Sequence, residues 1–257
     1  MRDDSLPRSP KLPPRAEIQA PAPRVAAIVP AYNEQETLAD VLTVLVACPA
    51  IGEILVVSDG STDRTVEIAR GLGIKAIHLR ENHGKGRAMA VGVAHTRAPI
   101  LLFVDGDILK LTPAMLDGLL APVLSGRADM NVGIRNRGRL LNSIHGKLVP
   151  LLSGIRAMRR EVFAAVPEDH IEGFAIETEL NWACRERHYR VTTTVLHNLQ
   201  HLVKERKRGF VRGFVARFDM FWVVLTAYLS LRWKRPGLRR PPARGPVRQG
   251  ELDYINF

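Results

Sequence analysis

The chain is expected to be an α/β protein, a doubly wound and mostly parallel sheet with helices on both faces, on three observations. From Arg24 onward, short apolar runs alternate with segments of helical periodicity. One run, Ile100-Leu101-Leu102-Phe103-Val104, is apolar throughout, as a parallel strand covered on both faces should be. Polar clusters stand directly after three of the runs, where open parallel sheets bind their ligands.

The elements follow in order. Residues 1–23 are rich in Pro, Arg and Asp without periodicity and read as a flexible leader. Val25 to Pro30 is a first strand, and apolar spacing from Glu34 to Ala47 predicts a helix. The unit repeats as a strand at Glu53 to Val57 and a helix from Thr62 to Gly71. A strand at Lys75 to Leu79, a helix from Lys85 to His95 and the run at Ile100 to Val104 complete this half. Beyond Asp107 the alternation weakens. Helices are expected near Pro113 to Leu124, Arg159 to Ala165 and Ile176 to Arg187, strands near Asp129 to Ile134 and Arg190 to Leu196, and a long basic helix from Gly209 to Trp233. The predicted organisation is a leader (1–23), one α/β domain (24–205) divided into halves at 107/108, a basic amphipathic helical segment (206–235) and a flexible tail (236–257).

The bulk properties narrow the function. With 257 residues and a hydrophobic share of 46%, the chain can fill one large α/β core. Its formal net charge of +11 is local, since thirteen Lys or Arg stand against four Asp or Glu from Lys204 onward. Such a segment suits an anionic partner, unless it is simply a solvated tail. Two cysteines, Cys48 and Cys184, suggest neither a disulfide framework nor a thiolate metal site. No secretory signal opens the chain, and the apolar stretch from Met220 to Leu231 falls short of the ~20 residues a spanning helix needs. A cytoplasmic protein, peripheral on the inner face of the membrane at most, is expected.

Three clusters carry the chemistry. In Asp105-Gly106-Asp107, residues i and i+2 of an extended segment project to one side, so two carboxylates can meet one hard cation, and Gly106 lets a ligand approach the backbone. A divalent ion held by carboxylates and substrate phosphates is the Mg²⁺ or Mn²⁺ arrangement. A solvated turn is the competing explanation, and the position after an apolar strand weighs against it. In Asp59-Gly60-Ser61-Thr62-Asp63, Ser61 or Thr62 can cap a helix and Asp63 suits its positive end, while Asp59 can bond a base or ribose. Asn82-His83-Gly84-Lys85-Gly86 is a basic loop opening a helix, so its backbone N–H groups and Lys85 can meet a pyrophosphate. It is not a Walker A loop, because Leu79 stands where the first Gly belongs and Gly86 where Ser or Thr should follow Lys85. No G-x-G-x-x-G follows the first strand, which disfavours a dinucleotide-dependent dehydrogenase.

Taken with Val29-Pro30-Ala31-Tyr32-Asn33-Glu34, these clusters resemble, in order, the motifs of the family 2 glycosyltransferases, enzymes of the GT-A fold with a nucleoside-diphosphate-sugar donor. The likeness covers about residues 25–205. It implies a base and ribose pocket lined by Pro30, Tyr32, Glu34 and Asp59, with Lys85 by the base or pyrophosphate. It further implies a D-x-D metal motif at Asp105 and Asp107 for Mg²⁺ or Mn²⁺, and a UDP- or GDP-sugar donor. The second half is similar to members that make polyprenyl-phosphate sugars or glucosyl-3-phosphoglycerate. There Leu152-Ser153-Gly154-Ile155-Arg156-Ala157 resembles an acceptor-side loop, which assigns Ser153, Gly154 and Arg156 to the acceptor or its phosphate. Gly173 to Glu179 resembles the helix that presents an acidic residue.

Glu177 and Glu179 sit roughly 200° apart on a helix, so both cannot face one site. Glu177, nearer the helix start, is the expected general base if the reaction inverts configuration, and Asp107 the other catalytic candidate. His201 is expected to complete the metal site by the same resemblance, with His197 competing. Lys204, Arg206 and Arg208 can close over the leaving pyrophosphate, or be solvated. The basic and aromatic residues from Arg208 to Trp233 suit an interfacial helix on an anionic membrane and hence a lipid-linked acceptor. Packing of that helix on the domain, or in a homodimer, is the other explanation. A nucleotidyltransferase would carry its Gly-rich basic loop after the first strand, where Pro30-Ala31-Tyr32-Asn33-Glu34 stands instead. A nucleic-acid-binding protein is disfavoured by acidic strand ends that repel phosphate unless metal is present.

Overall fold

The structure is a computed structural model and describes residues 24–135, 153–171, 176–201 and 252–255. The first half forms β1 (Val25–Ala31), α1 (Leu38–Val46), β2 (Glu53–Asp59), α2 (Thr65–Gly71), β3 (Lys75–Leu79), α3 (Lys85–Ala94) and β4 (Ile100–Phe103). There follow β5 (Ile108–Leu109), α4 (Pro113–Leu124), β6 (Met130–Arg135), β7 (Arg156–Arg159), α5 (Arg160–Ala164), α6 (Ile176–Glu186), β8 (Val191–Leu196), β9 (Gln200–His201) and β10 (Leu252–Ile255). Among the described residues eight strands make one sheet in the order β10-β3-β2-β1-β4-β7-β6-β8, and β5 pairs with β9 separately. The neighbours from β3 to β4 are parallel, as are β6 and β8, while β7 runs antiparallel to β4 and β6, and β10 antiparallel to β3.

Every residue of β1 is buried, as a central strand between two layers requires. On one face Val25, Ala27 and Val29 meet α1, α2 and α4, where Leu38, Val41, Leu42 and Leu45 of α1 repeat at the spacing of one helical face. On the other face Ile28, Leu55, Val57, Leu101 and Phe103 meet α3, α5 and α6. Gly92 allows α3 to lie this close, because a Cβ there would stand 2.4 Å from Ile28 Cγ2. Arg160 fixes the far end of α3 by donating to the carbonyls of Val93, Thr96 and Ala98.

The elements depart from expectation in ways with physical causes. Helix α1 begins at Leu38, not Glu34, and α2 at Thr65, not Thr62. The amides ahead of them bond across to the neighbouring loop: Asn33 N to Ser61 Oγ, Glu34 N to Thr65 Oγ1, Gln35 N to Asp63 Oδ2, Thr62 N to Asn33 Oδ1 and Arg64 N to Gln35 Oε1. Neither Ser61 nor Thr62 caps α2; Asp63 accepts from Thr65 N instead. Arg156, expected in a loop, lies in the antiparallel strand β7. Within the tail expected to be flexible over 236–257, Leu252–Ile255 pairs with β3 and covers what would otherwise be a bare sheet edge. The leader (1–23), the basic segment (206–235), the long helix predicted from Gly209 to Trp233 and Lys204, Arg206 and Arg208 lie outside the described residues.

Asp129, just ahead of β6, accepts from the main-chain N–H, Nε and Nη2 of Arg190 and so ties the starts of β6 and β8 together. Those hydrogen bonds from Arg190, opposed by burial, hold the Asp129 carboxyl below its usual value. A lowered folded-state pKa gives stability that is present above the unfolded pKa of about 3.9 and lost as pH falls through the folded value. Urea titrations from pH 6 down to pH 2 should therefore show a shallower acid-side loss of stability for Asp129→Asn than for the parent; parallel curves would remove this role.

Candidate active site

The crevice lies at the carboxyl ends of β1, β2 and β4. Here β2 and β3 lie to one side of β1 and β4 to the other, the switch point at which doubly wound sheets bind ligands. Pro30 opens it. The carbonyls of Arg24 and Ile28 accept from Ile100 N and Val104 N, so the even-numbered residues of β1 face β4. At Pro30 that edge has no N–H to give, and the β1–β4 register ends at Ile28 opposite Phe103. On the β2 side pairing continues through Pro30 opposite Val57 and Ala31 opposite Ser58.

Tyr32 and the buried Glu34 stand in the loop leaving β1, with Asn33 at φ 55°. Gly106 is buried against this loop: a Cβ there would lie 3.1 Å from Glu34 Cγ, and its carbonyl accepts from Thr37 Oγ1 at 2.6 Å. This corrects the expectation that Gly106 admits a ligand to the backbone. Since β4 stops at Phe103 and residues 106 and 107 form a turn, Asp105 precedes the turn and Asp107 lies in it, so the two partly exposed carboxylates are not positions i and i+2 of an extended strand.

Asp59 holds the basic loop. Its Oδ1 accepts from His83 N at 2.9 Å and its Oδ2 from Gly84 N at 2.8 Å, while Asn82 Nδ2 donates to its carbonyl. Gly60, at φ 70°, permits this contact, because a Cβ would lie 2.7 Å from Asn82 N. The backbone amides of His83 and Gly84, expected to face a pyrophosphate, thus bind a carboxylate of the protein. Gly84 at φ 92° then turns the chain into α3, and Lys85 is the first residue of that helix.

Lys85 joins the two halves of the domain. Its Nζ lies 2.5 Å from Asp105 Oδ1 and 2.8 Å from Glu177 Oε1, in the first turn of α6. Burial would lower its pKa, but Asp105 and then Glu177 outweigh that and hold it above the ordinary lysine value, so the ammonium is charged. Glu179 is directed elsewhere, its Oε2 3.1 Å from His170 Nδ1. Gly154 crowds the other oxygen of Asp105: a Cβ at 154 would stand 1.8 Å from Oδ2.

Arg156, expected to touch the acceptor, has no exposed surface and acts from beneath. It donates from Nε to Ser153 O at 2.9 Å, and from Nη1 to Glu177 O at 3.2 Å and Asn181 Oδ1 at 3.3 Å. One guanidinium therefore fixes both the Ser153-Gly154 loop and the start of α6. Burial draws its pKa down, against the opposing charge of Glu177. Asn181 was not anticipated as a partner, although it stands one turn from Glu177 on the same helix face. The burial of Arg156 was signalled only by its apolar neighbours Ile155, Ala157 and Met158.

Strand pairing sets Ile108 opposite His201, so the backbone of His201 lies beside the residue that follows Asp107. His197 is exposed between β8 and β9. Among the described residues no three His, Cys, Asp or Glu side chains are grouped as a complete metal site. The donor chemistry still fits a hard or borderline divalent ion: two partly exposed carboxylates after β4 and a histidine residue whose backbone pairs opposite Ile108.

A family model described as glycosyl transferase family 2 matches residues 26–164. The chain belongs to glycosyl transferase family 2. Among similar proteins, the glycosyltransferase AglJ of Haloferax volcanii is 36% identical over 186 residues, 65% of this chain and 60% of that protein. An undecaprenyl-phosphate 4-deoxy-4-formamido-L-arabinose transferase of Shewanella sediminis is 26% identical over 231 residues, 80% of this chain and 68% of the other. The chain thus spans about three fifths of AglJ. Crystal structures of Mycobacterium tuberculosis glucosyl-3-phosphoglycerate synthase share the fold; that with Mn²⁺, UDP and glucosyl-3-phosphoglycerate aligns at TM-score 0.67 and 22% identity over 83% of this chain and 81% of that one. The fold is GT-A-like, as the motifs implied.

Arg156→Met should lower stability by about 2–3 kcal/mol, because it strips a charged donor from the carbonyls of Ser153 and Glu177 without opening a large cavity. Urea unfolding measures this, and a loss within error would show that those carbonyls do not need the guanidinium.

Proposed function

We propose that this chain transfers a sugar from a UDP- or GDP-sugar to a lipid-linked phosphate, with Mg²⁺ or Mn²⁺ held by Asp105, Asp107 and His201. The observation that carries this is the meeting of Asp105, Lys85 and Glu177 at the switch point, where acidic groups from both halves share one cation. The metal would neutralise charge on the nucleoside diphosphate as it leaves.

The remaining chemistry belongs to the chain. Pro30, Tyr32 and Glu34 at the end of β1 border the space for the base and ribose, and Asp59 orders the loop that delivers Lys85. Lys85 offers its ammonium to the diphosphate, as a cation near developing negative charge should. Ser153 and Gly154 border the acceptor, and Lys204, Arg206 and Arg208 supply further charge to the phosphates. A phosphate acceptor with a second pKa near 6 is already ionised at neutral pH, so it has no proton to surrender. A hydroxyl acceptor does, and Glu177 is the group placed to take it in an inverting transfer.

The lipid-linked acceptor is supported by the polyprenyl-phosphate substrate in the name of the Shewanella relative and by the basic, aromatic composition of residues 209–233. That segment would hold the protein peripherally on an anionic membrane, a homodimer contact being the alternative. No helix among the described residues is long and apolar enough to cross a membrane.

Asp107→Ala should abolish metal-dependent turnover of the nucleotide sugar, measured as release of nucleoside diphosphate; full activity would sink the metal assignment. Glu177→Gln should leave kcat within about tenfold for undecaprenyl phosphate, yet lower it by ~10²–10⁴ for any hydroxyl acceptor the parent enzyme uses. Equal losses on both would refute the division of roles. Replacing Phe214 and Trp222 by Ser should release the protein from phosphatidylglycerol vesicles in co-sedimentation, and unchanged partition would favour the dimer.

A further inference from the structure

We infer that Lys85 is a displaceable counter-ion: it holds Asp105 and Glu177 together, and a divalent ion can take Asp105 only as a nucleoside diphosphate draws Lys85 away. This rests on the metal and donor assignment above and goes beyond it by fixing the order of loading.

Competition for Asp105 follows from the geometry. Its Oδ1 is 2.5 Å from Lys85 Nζ, and its Oδ2 faces the backbone at Gly154, where even a methyl group would collide. While Lys85 keeps its place, its ammonium occupies Oδ1, and Gly154 leaves the carboxylate little room to turn. Two cations on one carboxylate also repel each other in a partly desolvated crevice, where the Lys85 and Asp105 side chains are only 18% and 20% exposed. A diphosphate resolves the conflict, since its oxygens can accept hydrogen bonds from the ammonium and ligate the metal at once.

Glu177 completes the coupling. Because Lys85 also lies 2.8 Å from Glu177 Oε1, its departure leaves that carboxylate without this cation. Donor binding on the first half is thereby transmitted to the acceptor side through the Lys85 side chain. Lys85 has the reach for this as the first residue of α3, behind Gly84 at φ 92° and the Asp59 clamp on the backbone of residues 83 and 84. It is thus a positioning residue for Asp105 and Glu177 as well as a ligand for the diphosphate.

The test is Mn²⁺ binding, read by the electron paramagnetic resonance of free Mn²⁺, on the full chain without turnover. The parent should bind Mn²⁺ weakly alone and much more tightly with UDP or GDP present. Lys85→Met should bind Mn²⁺ alone about tenfold more tightly than the parent, and lose most of the enhancement by nucleotide. Glu177→Gln, which leaves Lys85 wholly to Asp105, should bind Mn²⁺ alone more weakly than the parent. Damage to the fold would weaken both variants, so the opposite signs are diagnostic, and circular dichroism checks that each remains folded. Equal or weaker Mn²⁺ binding by a folded Lys85→Met variant overturns the inference while leaving the metal site standing. No Mn²⁺ binding by parent or variants, with or without nucleotide, overturns both.

Discussion

One ammonium group serves two carboxylates that stand 72 residues apart in the chain, and the crevice depends on that arrangement. Lys85 reaches Asp105 after β4 and Glu177 in α6, so a charge joins the first and second halves of the domain here. A charge so placed is only as precise as the backbone beneath it. That backbone is held from both ends: Asp59 clamps the amides just ahead of Lys85, and Gly92 lets α3 settle directly on Ile28.

Topology supplies the space and Pro30 enlarges it. The chain winds from β1 through β2 to β3 on one side and returns to β4 on the other, so the crossovers diverge above β1. Pro30 ends the ladder toward β4 at the level where divergence begins. The loop beyond it is then held by bonds to the other crossover, from Asn33, Glu34 and Gln35 to Ser61, Thr65 and Asp63. Asp63 and Thr65, which look like ordinary helix-start residues, thereby also fix the loop that leaves β1.

The first half was legible because its signals are local. Fully apolar runs mark β1, β2 and β4, and each polar cluster follows the strand that positions it. Helix starts were misplaced by three or four residues because side chains of a distant loop satisfy the amides, which no periodicity reports. In the second half the decisive contacts are non-local. Strand β7 contains Arg156 and Arg159 and so reads as a polar loop, yet Arg156 is buried because carbonyls from two separate segments converge on it. Leu252–Ile255 is too short a run to declare its partner, and only the open edge of β3 explains its pairing. Helical spacing could separate Glu177 from Glu179, whereas it could not reveal that Lys85 stands opposite.

The two halves of the domain are stabilised in different ways. The first half holds a mesh of short backbone-to-side-chain bonds, so altering one member disturbs its neighbours. The described part of the second half is fixed at a few points: β7 in register between β4 and β6, Gly133 N on Ile155 O, and Arg156 on Ser153 O and Glu177 O. Two contacts on that side leave no room for a larger group: a Cβ at residue 154 would collide with Asp105, and Arg156 reaches Ser153 O and Glu177 O from a position with no exposed surface.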